Sequence, residues 1–120
     1  QEWGRVFARA PRLPQAGIAA VGALREQPAV LAAVAQAYAR SVAWCRAYPM
    51  ECGQMMHQHI DLLTPEAVAD AVATSQLDAV PAIAARAELE FFYTQLMARN
   101  AALVGGKLPD SGFYTAPAST

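Results

Sequence analysis

The chain has 120 residues, 55% of them hydrophobic and 16% charged, which excludes a disordered segment and suits one domain with a real core but not two. The net charge is -1 and the nine basic residues are scattered. Without a basic stripe to neutralise phosphates, nucleic-acid binding is set aside.

Residues 1–7 read as a short helix end or an extended segment, followed by a proline-punctuated connector from Arg9 to Gln15. The stretch Ala16–Leu24 reads as a short buried strand passing into a helix, because Gly17 and Gly22 weaken helix there. The longest nearly uncharged run, Leu13–Leu24, is too short to span a bilayer. A long helix is predicted from Pro28, a favoured first-turn residue, to about Ala47. Leu31, Val34, Tyr38, Val42 and Cys45 recur every three or four residues on one face, and Val30, Ala37 and Trp44 continue a neighbouring row. A stripe that wide belongs against a large partner surface.

A turn at Tyr48-Pro49 opens a second helix with Glu51 in its first turn, fading around His59. Thr64-Pro65-Glu66 marks a third start: a hydroxyl cap, a proline, then an acid. That helix carries Val68 and Val72 four apart and ends by Ser75. After a loop with Pro81, the last helix is predicted from near Arg86 to about Val104. Leu89, Phe92, Leu96 and Leu103 lie along one side, with Tyr93 and Met97 beside them. Gly105-Gly106 stops it, since glycine accepts the left-handed cap conformation. In the tail, Phe113 and Tyr114 are expected to dock. The expectation is a mainly α chain with at most one or two short strands. It forms a single domain or fragment: connector and crossing strand over 1–24, helices over 28–104, and a C-terminal tail over 105–120.

Candidate chemistry is sparse. Met50, Cys52, Met55, Met56, His57 and His59 offer soft ligands for copper or zinc. On a helix, however, His57 and His59 point about 200° apart, so no metal site is assigned, and the methionines read as core filler. Ser41, Cys45 and Cys52 lack any nucleophile signature, and Gly105-Gly106-Lys107 ends a helix where a phosphate loop would open one. Glu88 and Glu90 face different ways and read as solvated. No catalytic residue and no cofactor follow, and no enzyme is expected. Cys45 and Cys52 flank the Tyr48-Pro49 turn. In an oxidising compartment they could pair as a disulfide; as free thiols they are small buried hydrophobes. Trp3, Trp44, Phe91, Phe92 and Tyr93 could line a cleft, though aromatics at helical spacing usually form core.

Set in order, the segments form a familiar series. Glu2-Trp3-Gly4 leads to LPQAGIAAV, then to a helix opening Gln27-Pro28 and carrying AYARSVAWCRAYP (Ala37–Pro49). TPEAVADAV (Thr64–Val72), an amphipathic helix and GGKLPDSGFY (Gly105–Tyr114) follow. The series resembles the C-terminal part of the periplasmic solute-binding proteins of ABC importers, in the branch that holds the sulfonate, nitrate and thiamine-precursor binders. The likeness extends over residues 1–114. It implies a helical C-terminal fragment of a two-lobed α/β fold whose lobes close over a small molecule and deliver it to ABC permease subunits. It also implies a periplasmic location, with the signal peptide outside this chain. Most pocket loops would lie in the preceding part. Glu2 and Trp3, nearest the crossing between lobes, are the substrate-binding candidates.

The start at Gln1 in place of methionine also reads as a piece of a longer protein. Helices with wide stripes need a sheet to cover, so the piece alone is expected to form a homo-oligomer. The alternative is a free-standing all-α interaction or dimerisation domain.

Overall fold

The computed structural model describes residues 2–9 and 12–115. Of these, 67% are helical, and no strand occurs among the described residues. Five α-helices follow in order: α1 (Glu2–Phe7), α2 (Pro28–Ala47), α3 (Pro49–His57), α4 (Pro65–Thr74) and α5 (Ala82–Arg99). Single 3₁₀ turns lie at Gly22–Glu26, Ala101–Val104 and Ser111–Phe113. The helices gather into two compact units. One is formed by residues up to Glu26 together with those from Pro81 onward, and the other by Gln27–Val80.

In the unit Gln27–Val80, three prolines set the helix starts. Pro28, Pro49 and Pro65 each occupy the first turn, where the missing N–H forfeits no hydrogen bond. Tyr48 is both the last cap of α2 and the first cap of α3. Its N–H donates to the Trp44 carbonyl at 2.8 Å, and its own carbonyl accepts from Cys52 N at 2.9 Å. A one-residue link of this kind folds α3 back toward the end of α2. The chain then turns through Ile60–Leu63 into α4, whose cap is Thr64; its Oγ1 accepts from Ala67 N at 3.3 Å. Replacing Thr64 by alanine is expected to lower the stability of this unit by about 1 kcal/mol, read from its denaturant midpoint, because one helix N–H loses its partner.

Helices α3 and α4 meet face to face where Gly53, buried, lies against the backbone of Pro65. Cys45, Cys52 and Val68 form the buried centre, with Trp44, Leu63 and Val72 partly covered around it.

In the other unit, α1 packs on α5 through aromatic rings. Trp3 lies 5.8 Å from Phe91 and 5.9 Å from Phe92, centroid to centroid, and Phe7 lies 5.3 Å from Phe91. The Arg9 guanidinium caps the same cluster, 4.1 Å above the Phe91 ring. Beyond α5 the chain turns and runs back along it, until the Thr115 carbonyl accepts from Ile83 N at 3.3 Å.

Three expectations are corrected here. The buried strand within Ala16–Leu24 does not form: Ile18 and Val21 are 63% and 72% exposed, and no neighbouring strand offers a ladder. Gly22, at φ 58°, turns this segment into a 3₁₀ helix. The last helix begins at Ala82 and not Arg86, because the alanine-rich turn after Pro81 is already a strong helix former. It ends at Arg99. Asn100 leaves helical geometry at φ -160° and ψ 114°, and its side chain accepts from Ala102 N at 3.0 Å, capping a separate 3₁₀ turn that Gly105 closes at φ 72°.

Candidate functional site

The Gln27–Val80 unit owes its geometry to the Tyr48 link. One helical turn before it stands Cys45 and one turn after it Cys52, which brings their Cα atoms to 5.1 Å, and the two are joined as a disulfide. Cys52 is 1% exposed, so the bond lies at the centre of the unit and not on its rim.

The apolar stripe of α2 is covered only toward this end. Val42 and Cys45 are buried and Leu31 is half-buried, but Val30, Val34 and Tyr38 stand open. An open groove of about 370 Å³ continues that surface, lined by Ala37, Arg40, Ser41, Trp44 and Met55. Its polar groups are few. Ser41 Oγ is already committed to the Ala37 carbonyl at 2.9 Å, which leaves the Arg40 guanidinium as the one charge in the lining. A surface of this kind can be covered by another apolar face. It holds no base beside a hydroxyl and so no means of activating a nucleophile.

Of the methionines, Met55 lines this groove. Met50, Met55 and Met56 are exposed and do not fill a core as the sequence suggested. Cys52 is taken by the disulfide, and His57 Nδ1 lies 3.1 Å from the Leu63 carbonyl, which its N–H can satisfy. Among the described residues no three His, Cys, Asp or Glu side chains gather as metal ligands.

In the other unit a second groove of about 260 Å³ is lined by Tyr93, Leu96, Leu103, Val104, Pro109 and Phe113. Its far wall is built by the GGKLPDSGFY segment. Gly105 and Gly106, at φ 72° and 87°, reverse the chain, and Asp110 Oδ1 then accepts from Gly112 N at 3.0 Å to open the 3₁₀ turn Ser111–Phe113. This turn seats Tyr114, 4% exposed, with the Arg86 guanidinium 5.1 Å from its ring centroid. Of the two aromatics expected to dock, Tyr114 is buried, whereas Phe113 stays 53% exposed at the edge of the groove.

Glu90 is half-buried and not freely solvated, for Arg86 Nε donates to its Oε1 at 2.8 Å; Glu88 is half-buried as well. Among the described residues none makes a well-formed hydrogen bond to the buried Tyr114 hydroxyl, though the Glu90 carboxylate is close enough to accept weakly from it. Burial first, then the charge of Glu90, the neighbouring Tyr93 and, least, a weak hydrogen bond to Glu90 push its phenol above the usual 10.0, with Arg86 opposing.

The two candidates named from sequence are close neighbours but line neither groove. Glu2 is exposed and accepts from Arg5 Nε at 3.1 Å, one turn along α1. Trp3 is half-buried in the aromatic cluster with Phe7, Phe91 and Phe92. The apolar surface around Val30, Val34 and Tyr38 was legible as periodicity. That it would stay uncovered depends on where the other helices pack, which no local pattern states.

The chain matches no known family model, and no curated protein or solved structure is significantly similar to it. Among the described residues no helix is long and apolar enough to cross a membrane.

Proposed function

We propose that this chain is the helical C-terminal part of the solute-binding component of an ABC importer, acting by cleft closure over a small molecule and delivery to permease subunits. The observation that carries the reading is the open apolar face of α2, where Val30, Val34 and Tyr38 stay 40%, 45% and 42% exposed. A helix covering one side of a sheet in an α/β lobe has this form: polar outward, a wide apolar stripe inward.

Two further features fit. A buried disulfide is at home in an oxidising compartment such as the periplasm. The series ending in GGKLPDSGFY, whose sequence suggested this family, builds an ordered return along α5 that ends on Tyr114. In this reading no covalent chemistry takes place; a ligand acts by favouring the closed state of the two lobes.

The test is the gene together with its product. The reading frame upstream of Gln1 is expected to encode a signal peptide and the strand-rich remainder of two lobes. The full-length protein is expected to bind one of a panel of sulfonates, nitrate and pyrimidine precursors by calorimetry. A frame that opens directly on this helical chain would sink the proposal.

The open faces also favour a second reading, a free-standing all-α dimerisation domain. In that case the chain by itself forms a stable homodimer with Val34 and Tyr38 inside. Val34→Glu, which places a charge in the stripe, would then return it to monomer in sedimentation velocity.

A further inference from the structure

We infer that the Cys45–Cys52 disulfide is a redox-controlled folding latch for the Gln27–Val80 unit, and that the other unit forms without it. The first ground is what the core consists of. The buried apolar cluster of this unit is Cys45, Cys52 and Val68, so two of its three members are the halves of the cystine itself. The surrounding residues Trp44, Leu63 and Val72 are only partly covered. Below about 70–80 residues a hydrophobic core alone seldom holds a fold, and small units of this size are usually stapled.

The second ground is what else holds the helices together. Helices α2 and α3 share a single link residue, Tyr48, and the one ion pair this unit makes among the described residues, Arg46 with Asp78 at 3.9 Å, is exposed on both sides. An exposed pair of that kind contributes little. Between α2 and α3 the weight therefore falls on the covalent link, and α4 in turn packs on α3.

The third ground is access. Cys45 and Cys52 are both buried, Cys52 almost completely, so a reductant reaches the bond only when the unit opens. The device is therefore a latch: formed, it shields itself; open, it leaves two thiols available. Closing it removes two electrons and two protons from the thiols and passes them to an external disulfide, such as that of a thiol-oxidising protein, which is reduced to its dithiol as the Cys45–Cys52 bond forms.

The chain carries only these two cysteines, both in one unit, so the other unit serves as an internal control. Closing a loop of this length in the unfolded chain accounts for roughly a fiftyfold shift in the folding equilibrium, before any loss of packing is counted. This inference does not rest on the importer reading. Within that reading, the unit would complete its fold only after export.

The experiment is hydrogen–deuterium exchange on the full chain, oxidised and in the presence of a thiol reductant, followed by peptide. On reduction, amides of α3 and α4 are expected to lose at least tenfold in protection while those of α5 from Phe91 to Leu96 keep theirs. Reduction itself is expected to be slow in buffer and to accelerate with urea. The double variant Cys45→Ala/Cys52→Ala provides the second arm. If its α3 and α4 amides are as protected as those of the oxidised chain, the latch is refuted. If reduction strips protection from α5 equally, the independence of the two units is refuted. Neither readout requires a bound solute, so the outcome stands apart from that of the ligand-binding test.

Discussion

Gly53→Ala is expected to destabilise the Gln27–Val80 unit by about 2 kcal/mol, although alanine is the better helix former. Gly53 lies inside α3, where exchanging glycine for alanine ordinarily gains up to about 1 kcal/mol. Here a β-carbon would stand 2.7 Å from the Cα of Pro65 and closer still to its carbonyl oxygen. These are backbone atoms and cannot swing aside as a flexible side chain would. Pro65 is the first residue of α4, held by its own ring and by the Thr64 cap.

The two helices must therefore separate, and their separation loosens Cys52 from Val68, which form the buried centre with Cys45. Overpacking of this kind costs about 1–3 kcal/mol and outweighs the gain in propensity. The control is Gln54→Ala on the exposed neighbour in the same helix, expected to be neutral or slightly stabilising. Urea midpoints of the two variants decide the matter. A Gly53→Ala protein as stable as the parent would mean that α3 and α4 do not approach as closely as described.

The helix limits legible in the sequence were those written in local chemistry. Pro28, the Tyr48-Pro49 junction and Thr64-Pro65 each act through their own backbone, and α2, α3 and α4 begin where those residues place them. The stripe on α2 was legible for the same reason, as periodicity along one element. Features decided between elements were not. Nothing near Gly53 in sequence announces Pro65 above it, and the role of that glycine emerges only when α3 and α4 are packed. The misplaced strand shows the same limit from the other side: Ile18 and Val21 are good strand residues, but a strand exists only with a partner. Among the candidate site residues, Trp3 was named for its place beside the crossing that the resemblance implies. Its engagement with Phe91 and Phe92 joins residues nearly ninety positions apart, which no local pattern states. Met50, Met55 and Met56 were misread because methionine density signals core only when something covers the helix that carries it.

Tyr114 is expected to be the anchor of the returning tail, and its two halves act in opposite directions. Tyr114→Ala removes a 4% exposed aromatic ring that stands against Arg86 and should lower the stability of this unit by about 3 kcal/mol. Tyr114→Phe keeps the ring and deletes a buried hydroxyl that has no well-formed partner among the described residues, so it should be neutral or stabilising by up to about 1 kcal/mol.

The pH dependence separates the two contributions. Burial, together with the charges of Glu90 and Tyr93, raises the phenol in the folded state above 10.0, while the unfolded chain ionises near that value. Above pH 10 the unfolded state therefore binds fewer protons than the folded one, so stability falls as pH rises from there and is fully present below it. Measured by denaturant midpoints across the alkaline range, the parent should lose stability and Tyr114→Phe should lose less, with Tyr38, Tyr48 and Tyr93 left in place in both. If the two proteins weaken in parallel, Tyr114 does not titrate against the fold. The returning GGKLPDSGFY segment would then be held by its glycine turns and the Asp110 cap instead of by its final aromatic ring.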